Sequence, residues 1–228
     1  MLMTDSEISA AIEKKEIEIR PFDVEKLQGA SYDLAIGGES LVSKSDEKIL
    51  LAPKSSISLH LDAGDFALVL TKEYVKMPLD IAGVIGMRSA LARKGLILLA
   101  GMQIDPGFEG HLRFGLYNAS PRRITLDYDD DLCMIEFHRL SGPVEHPPPR
   151  IPELIKGKIP EADRSFLRSL ETTSLSELRE NMRGLIQSVD TLTNNVKNLT
   201  NVVYRFLVPG IVAILVAVIV AVITGLLK

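Results

Sequence analysis

The sequence predicts a mainly β domain, followed by a long α-helical coiled coil and one transmembrane helix. Three observations support this prediction. Eight short apolar runs, separated by turn-forming residues, lie between positions 31 and 137. Apolar residues then recur every three or four positions from 175 to 206, and the stretch 207–227 contains no charged residue. We therefore expect a β domain over 1–145, a proline-rich linker over 146–165, a coiled-coil stalk over 166–206 and a membrane span over 207–227.

The β domain is predicted to begin with a helix. The segment SEISAAIEKKEI places its isoleucines near one face, and its first residue, Ser6, is the expected cap. The apolar runs that follow have the length of strands and are bounded by turns such as Gly37-Gly38 and Asp105-Pro106-Gly107. Many short strands joined by such turns are typical of an all-β barrel or sandwich, and the pattern leaves both open.

Prolines end the β domain, and a heptad repeat follows them. The run HPPPRIP, residues 146–152, cannot continue a sheet and marks the linker. The repeat that follows consists of Leu175, Leu178, Met182, Leu185, Val189, Leu192, Val196, Leu199, Val203 and Phe206. Unbroken spacings of three and four favour a self-associating coiled coil over a surface helix packed on a domain. The a and d residues favour two strands, but positions e and g carry no charge code, so the strand number stays open.

The uncharged stretch 207–227 has the length of a membrane span. Its 21 residues extend roughly 31 Å at a rise of ~1.5 Å each, which matches the hydrocarbon core of a bilayer. Tyr204 and Arg205 precede it as interfacial anchors. The N-terminal residues become charged almost at once, so no signal peptide is expected. We therefore expect a single-pass C-terminal tail anchor in the lipid bilayer, with the β domain in the cytoplasm.

The composition excludes several classes of function. One cysteine among 228 residues excludes a disulfide scaffold and a cysteine-based zinc site. A formal net charge of −4 argues against a protein that wraps nucleic acid. The mean hydropathy of +0.16 is high for a chain of which 25% is charged, and the apolar excess lies in 207–227.

Four blocks of the β domain resemble the dCTP deaminase and dUTPase family. They are LQGASYDLAIGG from Leu27, MRSALARKGL from Met87, MQIDPGFEGHLRFGLYN from Met102 and DDDLCMIEFHRLSGP from Asp129. They follow the family's order and reach to about Val144. The resemblance implies a dUTPase-like distorted β-barrel that assembles as a homotrimer. It also implies deoxynucleoside triphosphate sites between subunits, with Mg²⁺ carried by the triphosphate. A trimer would set the strand number of the stalk.

Two arginines and a serine in the second block suit a nucleotide. Guanidinium forks and a hydroxyl group offer donors for phosphate oxygens and for a base edge. The resemblance implies that Arg88 and Ser89 hold the phosphates, and that Arg93 acts with Ser89 on the base and the attacking water. Taken alone, an arginine–serine pair also fits an exposed strand end.

The third block supplies the sugar-binding residues that the resemblance implies. Asp105 corresponds to the aspartate that binds the deoxyribose 3′-hydroxyl and, in dUTPases, orients the hydrolytic water. Phe108 corresponds to the aromatic residue that excludes ribose, and Gln103 is assigned to nucleotide binding with them. Taken alone, Asp105 also fits a turn carboxylate that caps its own backbone. Asp33, in the first block, is interpreted as a structural strand-end residue rather than a metal ligand.

The chain departs from the family pattern at positions that concern catalysis. The deaminases carry a general acid/base glutamate ten residues after the IDPG aspartate, where this chain has Gly115. Glycine cannot carry a proton, and losing such help costs about 10²–10⁴ in rate. In the last block, Met134 and Asp129 replace the family's glutamine and glycine. HPPPRIPELIKGKIPE stands where the family's lid-forming arm is expected.

An acidic run adjoins that last block. It comprises Asp127, Asp129, Asp130 and Asp131. We interpret it as an exposed turn that could hold a cation weakly.

Two functions follow from these features. The first is a membrane-tethered enzyme acting on dCTP or dUTP, for which triphosphate hydrolysis through Asp105 is favoured over deamination because of Gly115. The second is a non-catalytic nucleotide-binding module that passes its ligand state through the stalk to the membrane.

Overall fold

The computed structural model describes residues 1–43, 45–169 and 175–226. The chain divides into two compact units, Met1–Ser176 and Glu177–Lys228. The helices of the first unit are α1 (Asp5–Glu13), α2 (Ser89–Ala92), α3 (Pro152–Ile155) and α4 (Glu161–Ser169). Its strands are β1 (Glu18–Arg20), β2 (Leu27–Gln28), β3 (Ser31–Val42), β4 (Ser45–Leu51), β5 (Leu59–Leu61), β6 (Phe66–Lys76), β7 (Ile81–Met87), β8 (Leu96–Leu99), β9 (Gln103–Ile104), β10 (Glu109–Asn118), β11 (Ile124–Leu126) and β12 (Asp131–Arg139).

The strands form one curled antiparallel sheet and a separate two-stranded ribbon. The main sheet runs in the order β8-β10-β6-β3-β12-β7-β9, with β1 paired to β6 and with β2 and β4 paired to β3. The ribbon pairs β11 with β5. A bulge in β3 after Gly37 breaks the register with β6. Such bulges raise the local twist, which helps a sheet to curl. The prediction of a mainly β domain is confirmed.

Alternation along the strands builds the core. The largest fully buried side chains include Tyr32, Phe114 and Phe137, one from each of β3, β10 and β12. Along β10 the even-numbered residues are buried and most odd-numbered ones are partly exposed, as expected for a strand with one face on the core. The sole cysteine, Cys133, is buried in β12, and burial raises the pKa of its thiol.

The N-terminal helix forms as predicted, but its cap lies two residues earlier than expected. Thr4 is the cap, because its hydroxyl accepts a hydrogen bond from the Glu7 backbone while the Glu7 carboxylate accepts one from the Thr4 backbone. This reciprocal capping box satisfies two otherwise unpaired donors. Ser6 therefore lies inside the helix.

The predicted linker over 146–165 is wrong in its second half. Helices α3 and α4 pack on the sheet, and Leu154, Ile159 and Leu167 are buried in a second apolar cluster against leucines of β3 and β6. An ion pair reinforces this contact, since Arg164 Nη2 lies 2.5 Å from Glu39 Oε2 and both side chains are nearly buried. The predicted stalk start at 166 is also too early, because Leu167 belongs to this cluster and the long helix begins at Leu175.

The second unit is helical. Helix α5 covers Leu175–Val202, a π-helical turn covers Val203–Leu207, and α6 covers Val208–Leu226. By length and composition, the described part of this unit contains one helix that could cross a membrane. The π turn ends two residues before Pro209. Proline cannot donate a backbone hydrogen bond to the previous turn, so the helical hydrogen-bond pattern is altered there. The heptad residues from Met182 to Leu199 are exposed in the single chain, and the coiled coil stays a prediction.

Candidate functional site

One cavity brings together four of the positions singled out in the sequence. It has a volume of about 440 Å³, and its lining includes Gln103, Asp105, Phe108 and Gly115. They come from β9, from the turn after it and from β10. The turn is set by Pro106 and by Gly107, whose φ of +82° is in the left-handed region that favours glycine. The amide of Phe108 donates to the carbonyl of Asp105 across this turn, which fixes both side chains beside the cavity.

Asp105 is exposed, and the side chain of Gln103 contacts its carboxylate. Gln103 Nε2 donates a hydrogen bond to Asp105 Oδ1 at 2.8 Å. The amide thus holds the carboxylate in one orientation and leaves its second oxygen able to accept from a ligand. This pair can bind a hydroxyl group or orient a water molecule.

Gly115 is enclosed on the face of β10 that borders the cavity. A Cβ atom at this position would lie 2.9 Å from Cε2 of Phe66 and 3.0 Å from the carbonyl oxygen of Leu99. Any side chain would therefore require movement of a neighbouring strand's backbone. The space that a glutamate would need here is filled, so the position lacks both the proton carrier and room for one.

The other three predicted residues lie on a different element. Arg88 precedes α2, Ser89 is its first residue and Arg93 follows it. None of the three is among the residues that line the cavity of Asp105. Ser89 and Arg93 are exposed. Within one chain, the structure therefore separates the two sets of predicted residues.

Asp33 has a role that sequence reasoning missed. It is almost completely buried near the start of β3, and its Oδ2 accepts a hydrogen bond from Arg88 Nη1 at 2.5 Å. Burial raises the pKa of the Asp33 carboxyl group, and the charge of Arg88 opposes that shift. The other oxygen, Oδ1, makes no hydrogen bond within the described residues. Asp33 thus orients the guanidinium group to which the family resemblance gives the phosphates.

Two further charged residues line the same cavity as Asp105. Arg113 in β10 donates a hydrogen bond to the carboxylate of Asp163 in α4. Arg113 and Gly115 lie on one face of β10, because alternate residues of a strand point the same way. Strand alternation in the sequence places Arg113 on the same face as position 115, so it could have identified this arginine. It could not have identified Asp163, because the sequence predicts a linker there.

The acidic run does not form a cation site. Asp129 has a φ of +75°, consistent with the glycine expected there, and its carboxylate lies 2.9 Å from Lys26 Nζ and 2.6 Å from Lys72 Nζ. Partial burial disfavours the charged form, but the two ammonium groups outweigh it and lower the pKa of Asp129. Lys26 also pairs with Asp131 at 3.2 Å. Within the described residues, no group of three potential ligands could hold a metal ion.

Comparison with known proteins agrees with the fold and with the motifs. A family model described as dCTP deaminase-like matches residues 2–140. A dCTP deaminase of Thermococcus kodakarensis is 42% identical over 134 residues, which cover 59% of this chain and 83% of that protein.

Solved structures are similar at lower identity. The 2′-deoxycytidine 5′-triphosphate deaminase of Agrobacterium tumefaciens matches with a TM-score of 0.51 and 19% identity, over 60% of this chain and less than half (47%) of that one. A dUTPase of Staphylococcus aureus phage phi11, described with a structural Mg(II) ion, matches with a TM-score of 0.40 and 18% identity, over 57% of this chain and 97% of that one. The family model covers well over half of this chain, which therefore belongs to the dCTP deaminase-like family.

Proposed function

We propose that the β domain binds deoxynucleoside triphosphates of the dCTP and dUTP type, and that the whole chain is a membrane-anchored protein of deoxynucleotide metabolism. One observation carries the proposal: Gln103, Asp105 and Phe108 share a cavity in a chain of the dCTP deaminase-like family. The cavity is apolar apart from a few convergent polar groups, as is typical of small-molecule sites.

The proposed roles follow the family's motif. Asp105 binds the 3′-hydroxyl, Phe108 fills the space beside C2′, and Arg88 with Ser89 holds the phosphates. Because α2 lies outside the cavity of its own chain, a complete site would combine the cavity of one subunit with α2 of another. This requirement supports a homotrimer, in which the exposed heptad residues of α5 would also associate.

Magnesium would arrive as part of the ligand. A triphosphate is normally bound to Mg²⁺, which keeps several waters and uses few protein ligands.

The family's deamination route is unavailable at position 115. If the protein is catalytic, we propose hydrolysis of the triphosphate, in which Asp105 orients the attacking water and Arg88, Ser89 and Arg93 hold the phosphates and the base. The second candidate is a nucleotide sensor without turnover. It is favoured by the helical unit, since a soluble metabolic enzyme gains nothing evident from a long helix that ends in an apolar segment.

The helical unit supports attachment to a membrane. Residues 207–227 are uncharged, and the described helical stretch Glu180–Val220 is long and apolar enough to span a bilayer. We propose a C-terminal anchor with the β domain on the cytoplasmic side, in agreement with Lys197 and Arg205 before the span. Carbonate-resistant association of the full chain with membranes would support this. Its release by carbonate would contradict it.

The function is tested on the full chain in detergent micelles. Isothermal titration calorimetry with dCTP and dUTP in the presence of Mg²⁺ measures binding, and ion-exchange chromatography resolves the products. Release of diphosphate that is lost in Asp105→Asn but kept in Asp80→Asn, a surface control, would establish hydrolysis. Tight binding without products would support the sensor. Formation of dUTP from dCTP would refute the argument from Gly115, and absence of binding would refute the proposal as a whole.

A further inference from the structure

The polar groups of the Asp105 cavity fall into two pairs. Among its eighteen lining residues only four carry polar side chains, namely Gln103, Asp105, Arg113 and Asp163. The first two are bonded to each other at the turn after β9, and the last two are bonded to each other across β10 and α4. The rest of the lining is apolar and includes Phe66, Ile85 and Phe114. When a sugar binds at Asp105, the second pair supplies the remaining polar side chains of this cavity that can contact the base.

The Arg113–Asp163 pair is accessible and is held in place. Each side chain is about one third exposed, so neither is sealed from the cavity. Asp163 is positioned by α4, which is fixed through buried Leu167 and through the ion pair of Arg164 with Glu39. Arg113 is two residues from Gly115 on the same strand face, which is a separation of about 7 Å. Gly115 thus lies beside an ordered carboxylate and guanidinium group.

The two groups present an ordered hydrogen-bonding edge. The carboxylate is an acceptor, and the guanidinium group beside it offers a fork of donors. Cytosine presents the complementary order, with its N4 amino group as donor followed by N3 and O2 as acceptors. Uracil presents an acceptor at O4, which would face the carboxylate. Sites with fixed polar groups reject the ligand that leaves those groups unpaired.

We infer that Arg113 and Asp163 form the base-reading edge of this cavity, and that they select a cytosine over a uracil nucleotide. This inference rests on the proposed nucleotide binding and adds the identity of the base. Asp163 accepts from the N4 amino group, and Arg113 donates to N3 and O2. The carboxylate comes from α4, after the β domain, whereas Arg113 lies in β10, the strand that carries Gly115.

The test measures the affinities of the full chain in detergent for the α,β-imido analogues of dCTP and dUTP with Mg²⁺. The imido bridge prevents hydrolysis of the bound ligand between its α and β phosphates. The wild-type chain is expected to prefer the cytosine analogue about tenfold, equivalent to ~1.4 kcal/mol. In Asp163→Asn the ratio should fall to within about threefold of one, because an amide can flip to donate to O4 or accept from N4. Asp62→Asn removes a carboxylate from another arginine pair, that of Arg123 outside the cavity, and should keep the wild-type ratio.

A charge exchange separates base reading from the docking of α4. In Arg113→Asp/Asp163→Arg the ion pair can re-form, so the thermal unfolding midpoint should stay close to wild type. The order of donors and acceptors is reversed, and the preference for cytosine should be lost. Equal binding of both analogues by the wild-type chain, or a preference that survives in Asp163→Asn, would overturn the inference and leave the proposed function intact. Absence of binding to either analogue would overturn both.

Discussion

Asp33 and Arg88 are joined by a hydrogen bond of 2.5 Å between Oδ2 and Nη1, although 55 residues separate them in the chain. The aspartate is almost completely buried, and the arginine is about one third exposed. The pair therefore directs one face of the guanidinium group inward and leaves the other face for a ligand. Asp33 thus orients Arg88, the residue that we propose to hold the phosphates.

Asp33→Asn should weaken binding of a triphosphate without abolishing it. The amide keeps the shape of the side chain but loses the charge that orients Arg88, so we expect about a tenfold loss of affinity, or ~1.4 kcal/mol. Calorimetry with dCTP, compared with the deoxynucleoside lacking phosphates, measures the effect. Weaker binding of both ligands alike would indicate a general structural defect. Unchanged triphosphate affinity would contradict the positioning role.

Gly115→Ala should destabilise the β domain, and Gly115→Glu should do so more strongly. The added Cβ meets Phe66 and the Leu99 carbonyl oxygen at about 3 Å, and overpacking of this kind costs about 1–3 kcal/mol. The glutamate adds a carboxylate that must leave water. Urea denaturation followed by tyrosine fluorescence measures both. An alanine variant as stable as wild type would show that the neighbouring strands can move to accommodate the added methyl group. Deaminase activity in the glutamate variant would show that only the proton carrier is missing.

Arg164→Gln should loosen α3 and α4. Removing Arg164 takes the closer of its two cationic partners from the nearly buried Glu39. The Ile159 amide still donates to this carboxylate, and Lys48 Nζ lies 3.3 Å from Oε1. The cost should therefore stay below the roughly 3–5 kcal/mol of a buried charge that is left without a partner. Hydrogen exchange of residues 152–169 should accelerate while exchange in the main sheet changes little. Arg123→Gln is the control, because its pair with Asp62 is largely exposed and such pairs contribute about 0–1 kcal/mol. Equal protection of 152–169 in both variants would contradict the anchoring role of Arg164.

Stability should depend on pH through His111. Burial lowers the pKa of this histidine, the charge of Arg20 lowers it further, and Nδ1 lies 2.9 Å from the Thr71 carbonyl oxygen. As the pH falls below about 6.5, the unfolded chain binds the proton before the native state does, so the free energy of unfolding decreases by up to ~1.4 kcal/mol per pH unit. Burial raises the pKa of Glu73. The native state therefore binds this proton before the unfolded chain does, and this group makes the free energy of unfolding increase as the pH falls.

The contribution of His111 is isolated by subtraction. The difference in the free energy of unfolding between wild type and His111→Gln should shrink as the pH is lowered from 7 to the lowered pKa of His111. The glutamine can still donate to Thr71 but does not titrate. Parallel pH profiles for the two proteins would contradict this prediction.

Leu192→Asp should weaken self-association of the helical unit. Leu192 lies at position d of the heptad and is exposed in the single chain, so its burial requires a second copy. Light scattering of the full chain in detergent should give a smaller mass for this variant than for Asn194→Asp, which changes an outer position of the same heptad. An unchanged mass would indicate that the barrel alone holds the oligomer.

Local sequence patterns predicted the β domain, the apolar helix and three residues of the cavity. Strand length and turn residues predicted the β domain, because alternation and glycine or proline turns act over a few residues. The stretch 207–227 predicted an apolar helix because a long run without charged residues can be recognised from the sequence alone. The quoted blocks identified Gln103, Asp105 and Phe108, which the structure places in one cavity.

Tertiary packing decided the remainder. The prolines of 146–152 indicate a break in the sheet, but they do not reveal that Leu154, Ile159 and Leu167 lie opposite an apolar cluster of distant strands. In the same way, only the folded chain brings Asp33 to Arg88 and Asp163 to Arg113. These contacts join residues at least 50 positions apart, and the free energy that favours them arises from burial and charge pairing that exist only once the sheet has curled. The motif thus identified Gln103, Asp105 and Phe108 of the cavity lining, whereas packing of the C-terminal segment added Asp163 to it.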